Sequence, residues 1–494
     1  MGYIGNGPYQ GVLTGGNIQD GTVETTDLAD GAVTTVKIND GAVTAAKIAA
    51  GAAVPTQTGH AGKFLTTDGS TASWATVTVP DEVIVSATQP SGVSEGQLWY
   101  DATNNKLMAY DGTDWLPVSA TVAKLTSVSG TIYNGLASNL TLSGEGFMTA
   151  NLVVNFTPSG GSTTTVTVTP SSDISATVAV PSAIYNLSAG TSVDVTVTNS
   201  DGSTSSPAVS KSIQALPTGG TITTSGSYRI HTFTSSSTFN VPSGLTLSNV
   251  EYVIVAGGGA GGSGMASPSA SGGGGGAGGY RSSVSGESSG GGASAETAIS
   301  SMGAGAYTVT IGAGGAARVS SSGSDGSGNP GSSSAFHTYT TVGGGGGGCG
   351  TQYLPDSGGS GGGGDYGAGG SGTSGQGYAG GLGRSNPYYG GGGGGAGQTG
   401  RDYTTNAGRN GDGGYGVQSS ITGTATWRAG GGGSGVYSPN DTGVGLGGSG
   451  GGGNGGKAGS AGQAGTANTG GGGGGGPNPG YNGGSGIVIL RYAL

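Results

Sequence analysis

The chain has 494 residues, of which 119 are glycine and only 8% are charged, and it carries a formal net charge of −10. No basic run could neutralise a phosphate backbone, which argues against nucleic acid as a partner. The longest apolar runs, at 253–256 and 487–490, fall far short of the ~20 residues a membrane helix needs, and MGYIGNGPYQ has neither a basic start nor an apolar core, so no membrane insertion and no Sec-type export signal is expected.

The single cysteine, Cys349, cannot form an internal bridge. Three histidines, His60, His231 and His337, lie far apart with no acidic or thiol neighbours at ligand spacing, so no metal and no cofactor is expected. Glycine divides the chain in two, with 28 glycines in residues 1–250 and 91 in the remaining 244.

Residues 18–53 repeat with a period of ten. Ile18, Leu28, Ile38 and Ile48 head the units, Val23, Val33 and Val43 come five residues later, and Asp-Gly pairs at 20–21, 30–31 and 40–41 supply turns between them. A ten-residue unit with two apolar anchors cannot bury itself alone, so it must stack on its neighbours or on identical chains. The alternative is a solvated linker, which the regularity of the anchors opposes.

Two further passages, 62–77 and 95–119, read as short alternating strands separated by Asp-Gly and Asn-Asn turns, with Trp99 and Trp115 bracketing a hairpin pair. The repeat DGAVTTxKI and the phrases LTTDGS…SWA and GQLWYD…NKLxxYDGTxWxPV resemble those of bacteriophage tail-fibre and related virion proteins. That resemblance, over residues 17–119, implies that the N-terminal part joins other tail proteins in the virion, after assembly in the host cytoplasm, and that the chain forms a homo-oligomer, a trimer by family habit.

Residues 121–215 carry five segments of period two, at 139–147, 151–158, 163–170, 176–181 and 191–206, with turn signals every ~8–12 residues, the pattern of a β-sandwich. The order LTLSGEGF, TVTVTP, VDVTVTNSDG is similar to Ig-like domains of the IPT/TIG type.

The stretch VEYVIVAGGGAGGSG at 250–264 satisfies the G-x-G-x-x-G spacing of a dinucleotide fold after a short strand. The residues beyond it are Ser, Gly and Pro, where a helix would need Ala, Leu or Lys, so a nucleotide site is not expected. Glycine blocks instead recur at 272–276, 343–348, 361–364, 390–395, 430–433, 450–453 and 470–476, bracketed by strand-like segments at 250–256 and 485–492. Extended helices of three residues per turn have no internal hydrogen bonds, and bare glycine lets such helices approach closely enough to satisfy one another. The phrases FTSSSTFNVPSG…VEYVIVAGGGAGG, GGGGGAGGYR, YTVTIGAGG and SGIVILRY resemble the glycine-rich domain of phage fibre and adhesin proteins, which implies a packed polyglycine-II domain displaying loops to the host.

Between the blocks lie loops rich in Tyr, Asn, Pro and Arg. Tyr353, Leu354, Arg384, Tyr388, Tyr389, Arg401, Tyr403, Tyr437, Asn440 and Tyr481 are the candidate receptor-binding residues, because rigid amphipathic tyrosines among Ser, Asn and Gly are the chemistry of paratopes and arginine pairs with carboxylates. Each tyrosine could equally cap an edge of the bundle.

The expected architecture is mainly β: N-terminal fibrous repeats (1–56), a small β module (57–120), an Ig-like β-sandwich (121–216) and a C-terminal polyglycine-II helix bundle framed by β-strands (217–494). The expected function is attachment to a host surface receptor, protein or glycan, without catalytic residues. A polysaccharide-degrading tailspike-type enzyme and a purely architectural virion part are the alternatives.

Overall fold

The computed structural model describes residues 29–32, 34, 58–67, 71–76, 83–104, 106–118, 123–147, 151–199, 208–264, 271–318, 326–350, 353–385, 388–403, 411–437 and 443–493. It is mainly β, with almost no helix, and divides into two compact units, residues 1–120 and 121–494. Of the ten-residue repeats only the turn at Asp30–Gly31 is described. There the Ala32 N–H donates to the Ala29 carbonyl at 2.8 Å and Gly31 sits at φ +73°, a left-handed position that favours glycine. The remaining repeats and Asn440 lie outside the described residues.

In the first unit, β1 (Phe64–Thr67) and β2 (Ala72–Ala75) form an antiparallel pair. A four-stranded sheet comes next, in the order β3 (Ile84–Ser86), β4 (Leu98–Asp101), β5 (Lys106–Tyr110), β6 (Trp115–Pro117). The turn between β4 and β5 closes on Asp101, whose carboxylate accepts the N–H groups of Thr103 (2.9 Å) and Asn104 (3.2 Å), an Asx turn. Trp99 and Trp115 meet edge to face at 5.5 Å on one side of this sheet, and both are buried.

In the second unit, β7 (Lys124–Ser129), β8 (Asn139–Glu145) and β11 (Ser175–Ala179) make one antiparallel sheet in the order β11-β8-β7. β9 (Leu152–Pro158), β10 (Thr164–Val168), β12 (Ser192–Thr198) and β13 (Val209–Ser212) make another, in the order β10-β9-β12-β13. Every second side chain from Leu152 to Pro158 is buried, as period two demands when one face meets a core. Leu140, Leu142, Phe147, Val154, Phe156, Val178 and Val195 share one hydrophobic cluster drawn from both sheets. A short helix, α1 (Ser182–Tyr185), adds Ile184 to it.

Two further sheets adjoin the glycine segments. β14 (Thr221–Ser225), β15 (Tyr228–Phe233), β17 (Leu247–Val255) and β18 (Tyr280–Ser282) join the C-terminal strand in one sheet, while β16 (Ser237–Val241), β20 (Gly305–Thr310), β21 (Ser334–Phe336) and β22 (Tyr339–Thr341) form a second, and β19 (Ile299–Met302) pairs with β17. Small hairpins β23 (Arg384–Ser385) with β24 (Tyr388–Tyr389) and β25 (Val417–Ser419) with β26 (Thr426–Arg428) stand apart. β27 (Ile487–Ala493) lies between β15 and β17, with Val255 opposite Ile487 and Tyr252 opposite Leu490. The two strands that bracket the glycine segments in sequence are therefore hydrogen-bonded neighbours. Phe233, Phe239, Tyr252, Phe336, Leu490 and Tyr492 pack on one face of that sheet.

His231 is fully buried in this core. Its Nδ1 is 2.7 Å from the Gly219 carbonyl, which can only accept, so Nδ1 carries the proton and Nε2 accepts from the Tyr492 hydroxyl at 2.9 Å. Burial pushes its pKa down from 6.5 to about 4. Below pH 6.5 the unfolded chain binds a proton that the folded chain takes up only near 4, so this residue's contribution is complete above 6.5 and lost as the pH falls toward 4. At about 1.4 kcal/mol per pH unit the loss is about 3 kcal/mol in all. Chemical-denaturation midpoints of the wild type and His231→Gln, measured from pH 7.5 to about 4, should converge as the solution is acidified; parallel curves would contradict this assignment.

The glycine segments satisfy their main chain by a rule of three. Along 257–263, the N–H groups of Gly257, Ala260 and Ser263 donate to the carbonyls of Ser332, Asn329 and Gly326; those of Gly258 and Gly261 to Gly484 and Tyr481; those of Gly259 and Gly262 to Gly276 and Gly273. Every third amide thus meets the same neighbour. The segment 272–279 is surrounded on all sides. It donates to three segments, through Gly273 and Gly276 to Gly348 and Gly345, through Gly274 and Ala277 to Gly391 and Gly394, and through Gly275 and Gly278 to Gly473 and Gly470. It accepts from three others, from Gly262 and Gly259, from Gly363 and Ser360, and from Gly435 and Gly432. These bonds run from 2.8 to 3.1 Å, ordinary N–H···O lengths, each contributing about 1 kcal/mol net.

Absent side chains make the spacing possible. A Cβ built on Gly274 would stand 2.0 Å from the Gly432 carbonyl oxygen and 2.8 Å from the Gly393 nitrogen, and one on Gly275 would stand 2.2 Å from the Gly259 oxygen. The amides of 257–262, which a dinucleotide would require, are all engaged by carbonyls.

Candidate functional site

The loops that leave this array are tied to it by main-chain and carboxylate contacts. Arg401 is held at its backbone, its N–H donating to the Asp412 carbonyl at 2.9 Å and its own carbonyl accepting from Gly392 at 3.0 Å. Its guanidinium is exposed and stands 3.7 Å from the Asp412 carboxylate, an ion pair worth little in water. Asp402 accepts the Leu382 N–H at 2.7 Å, and the Tyr403 N–H donates back to the Leu382 carbonyl at 3.1 Å. These reciprocal bonds bring loop 401–403 onto the loop that begins at Leu382.

There the aromatic groups converge. Tyr389 lies opposite Arg384 in the β23–β24 hairpin, and its ring stacks on Tyr403 with centroids 4.3 Å apart and 13° between planes. Both tyrosines are half-buried, Arg384 is exposed, and Leu382 is 49% exposed beside them. Tyr388 contributes main chain to the same hairpin, opposite Ser385. Four candidates chosen from sequence, Arg384, Tyr389, Arg401 and Tyr403, therefore share one surface formed by two loops.

Tyr437 and Tyr481 form a second group. They line a cavity of about 520 Å³ with Lys457, Pro477 and Pro479. A Cβ on Gly456, Gly462 or Gly476 would meet the Tyr481 ring at 2.6 to 3.1 Å, so that ring is laid against the glycine array. Tyr481 caps the array, while Tyr437 is half-buried at the cavity wall. Tyr353 and Leu354 are a third group. The Cys349 N–H donates to the Tyr353 carbonyl at 2.9 Å, closing the loop at the end of the 343–348 run, and Leu354 projects 71% exposed.

Residues 231–493 match the family model described as a glycine-rich domain. The chain belongs to the glycine-rich domain family. No curated protein matches it.

Among the described acids of the glycine-rich domain, Asp365 and Asp412 hold its loops. Asp365 accepts from the Gly350 N–H at 2.7 Å and from the Ser271 hydroxyl, and Asp412 accepts the Leu446 N–H at 2.8 Å. Burial raises the Asp356 pKa above the ordinary carboxylate value. Among the described residues, no three His, Cys, Asp or Glu side chains gather as a metal ion would require.

Sequence reasoning missed two features of the glycine-rich domain. A cavity of about 780 Å³ is lined by Glu251, Glu287, Glu296 and Tyr228 among serines. Each acid there has a partner: Glu251 pairs with Arg491 at 2.5 Å, Glu296 with Arg281 at 2.6 Å, and Glu287 accepts both the N–H and the hydroxyl of Ser420 at 2.7 Å. Tyr415 and Trp427, 45% and 43% exposed, are the second feature. A lone Trp in TATWRAG was the available signal.

Proposed function

We propose that this chain is a bacteriophage tail-fibre or adhesin subunit that joins other virion proteins through its N-terminal segment and binds a host surface receptor, protein or glycan, through loops of its glycine-rich domain, without catalysis. The observation that carries the reading is the fully surrounded segment 272–279, since a scaffold knit through main-chain groups on every side can hold loops of any sequence at fixed positions. We read its three-residue hydrogen-bond period as polyglycine-II geometry and the two-sheet body at 123–213 as an Ig-like spacer of the IPT/TIG type. The receptor surface is assigned first to Arg384, Tyr389, Arg401 and Tyr403. Stacked tyrosines flanked by guanidinium groups give a rigid contact with little rotamer entropy to lose. Tyr353, Leu354, Tyr388, Tyr437, Asn440 and Tyr481 are the further receptor-binding candidates.

The partner engagement of Asp365, Asp402 and Asp412 favours binding over hydrolysis, because a glycosidase needs a carboxylate pair open to substrate. Purified full-length protein added to host cells should occupy the receptor and reduce adsorption of the phage that carries it. Incubated with host polysaccharide it should bind and release no new reducing ends. Normal adsorption on saturated cells would favour a purely architectural part, and sugar release would favour the tailspike.

A further inference from the structure

The cavity of about 780 Å³ at Glu251, Glu287 and Glu296 has a neighbour. A second cavity, of about 420 Å³, opens between Glu287, Ser288, Gly397 and the β25–β26 hairpin, and Gly286 and Glu287 line both. Each falls within the roughly 300–1,000 Å³ of small-ligand sites. Each also holds an exposed aromatic ring, Tyr228 (40% exposed) in the first and Trp427 (43%) in the second. Gln418 lies opposite Trp427 in the hairpin and is exposed with it, so amide and indole share one open face.

The walls are fixed in advance. The Glu287 N–H donates to the Val284 carbonyl at 3.1 Å, and the Glu287 carbonyl accepts from the Ala295 N–H at 3.2 Å. Arg491 pairs with Glu251, lies 4.7 Å from the centre of the Tyr228 ring and donates to the Ser420 carbonyl at 3.3 Å, while Ser420 donates to Glu287. Glu296 is held by Arg281 and by the Tyr252 hydroxyl. Burial lowers the pKa of the Arg428 guanidinium and the nearby Tyr280 and Glu287 side chains act in the other direction, so Glu287 too lies within range of a cation. Three guanidinium groups thus stand behind three carboxylates. Among the described residues, no lysine or arginine lines either cavity, so an anionic ligand would find no cation to meet it.

We infer that these adjoining cavities form a binding groove for a neutral oligosaccharide, with pyranose C–H faces on Trp427 and Tyr228 and sugar hydroxyls on Glu251, Glu287, Gln418 and Ser285. A sugar carries both kinds of surface in every unit, an apolar C–H face that suits an exposed ring and a rim of hydroxyls. Carboxylates held in place accept those hydroxyls in charge-assisted bonds, and serine hydroxyls can donate or accept. A peptide would need apolar pockets for its anchoring side chains. Beside the two rings, the apolar lining here is alanine, glycine and Val417. The groove shares no residue with the surface assigned to the receptor, and it stands whether or not the chain is an adhesin.

An array of neutral and acidic oligosaccharides, with malto-, cello- and laminarihexaose among the neutral ones, tests it against the full-length protein. Neutral members should be retained, and uronic, sialylated and sulfated ones passed over. Titration with the best neutral member should shift the tryptophan emission. Trp427→Phe should still bind but lose most of that shift, because Trp74, Trp99 and Trp115 lie in the first unit. Trp427→Ala and Tyr228→Ala should each weaken binding about tenfold with unchanged circular dichroism. An array on which no neutral sugar is retained, or only acidic ones are, overturns the proposal. So does an emission shift that survives Trp427→Phe, or wild-type affinity in either alanine variant. Should an alanine variant misfold, the emission of the wild type and Trp427→Phe decides alone.

Discussion

Gly274→Ala should destabilise the glycine-rich domain by about 4 kcal/mol, the upper range for a single substitution. The new methyl would meet the Gly432 carbonyl at 2.0 and 2.6 Å and the Gly393 nitrogen at 2.8 Å, and all of these atoms are main chain that no rotamer change can withdraw. Relief requires 272–279 to separate from two neighbouring segments, with loss of the bonds from Gly363 to Gly274, from Gly274 to Gly391 and from Gly432 to Gly275. Gly303→Ala is the matched control, since a methyl there meets nothing within 4 Å and the residue has no positive φ. Its effect should lie within about 0.5 kcal/mol of zero. Thermal and denaturant unfolding of the three proteins gives the comparison. Equal stability of the two alanine variants would mean that close approach of bare backbones is not what holds this domain.

Replacing Tyr389 and Tyr403 together with alanine should weaken binding to host cells by about 3 kcal/mol, on the order of 100-fold, while leaving the unfolding midpoint close to the wild type. The stacked pair presents two half-buried rings at 4.3 Å, and loop 401–403 is fixed independently of them by the bonds between Asp402, Leu382 and Tyr403. Removing the rings therefore takes away contact surface without removing the loop's anchors. Unchanged affinity with intact folding would move the binding surface elsewhere, and Tyr437 with its cavity would be next.

Much of the fold is legible because side chains encode it. Alternation from Leu152 to Pro158 and from Ser192 to Thr198 marks strands whose buried faces meet, and the Asn104 region marks a turn that Asp101 closes. β3 is harder to see, since Ile84–Ser86 offers only three residues. The glycine segments pose a different problem. Their boundaries are plain, but the partnership of Gly275 with Gly473 across nearly 200 residues is not, because glycines carry no side chain to distinguish one register from another. Register must come instead from what borders each run, such as Ala256 and Ala277, or from the pairing of β17 with β27.

The candidate site was legible as chemistry and opaque as geometry. The tyrosines and arginines stand out among glycines, yet nothing in sequence says that Tyr389 stacks on Tyr403 while Tyr481 lies against Gly462. Those contacts depend on which glycine segments are adjacent, the relation that composition conceals. The exposure of Val85, Leu107 and Leu116 escaped for another reason. Alternation reveals that a strand has two faces but does not say which one its own chain covers.

Hydrogen–deuterium exchange of the full-length protein, resolved over 257–262, 272–279, 343–348, 390–395, 430–435 and 470–476, tests the central claim most directly. If these amides are bonded to neighbouring segments as the structure has them, they should exchange about as slowly as those of β17 and β27 in the adjoining sheet. Exchange at the rate of an unstructured chain in those segments, with β17 and β27 still protected, would contradict the account.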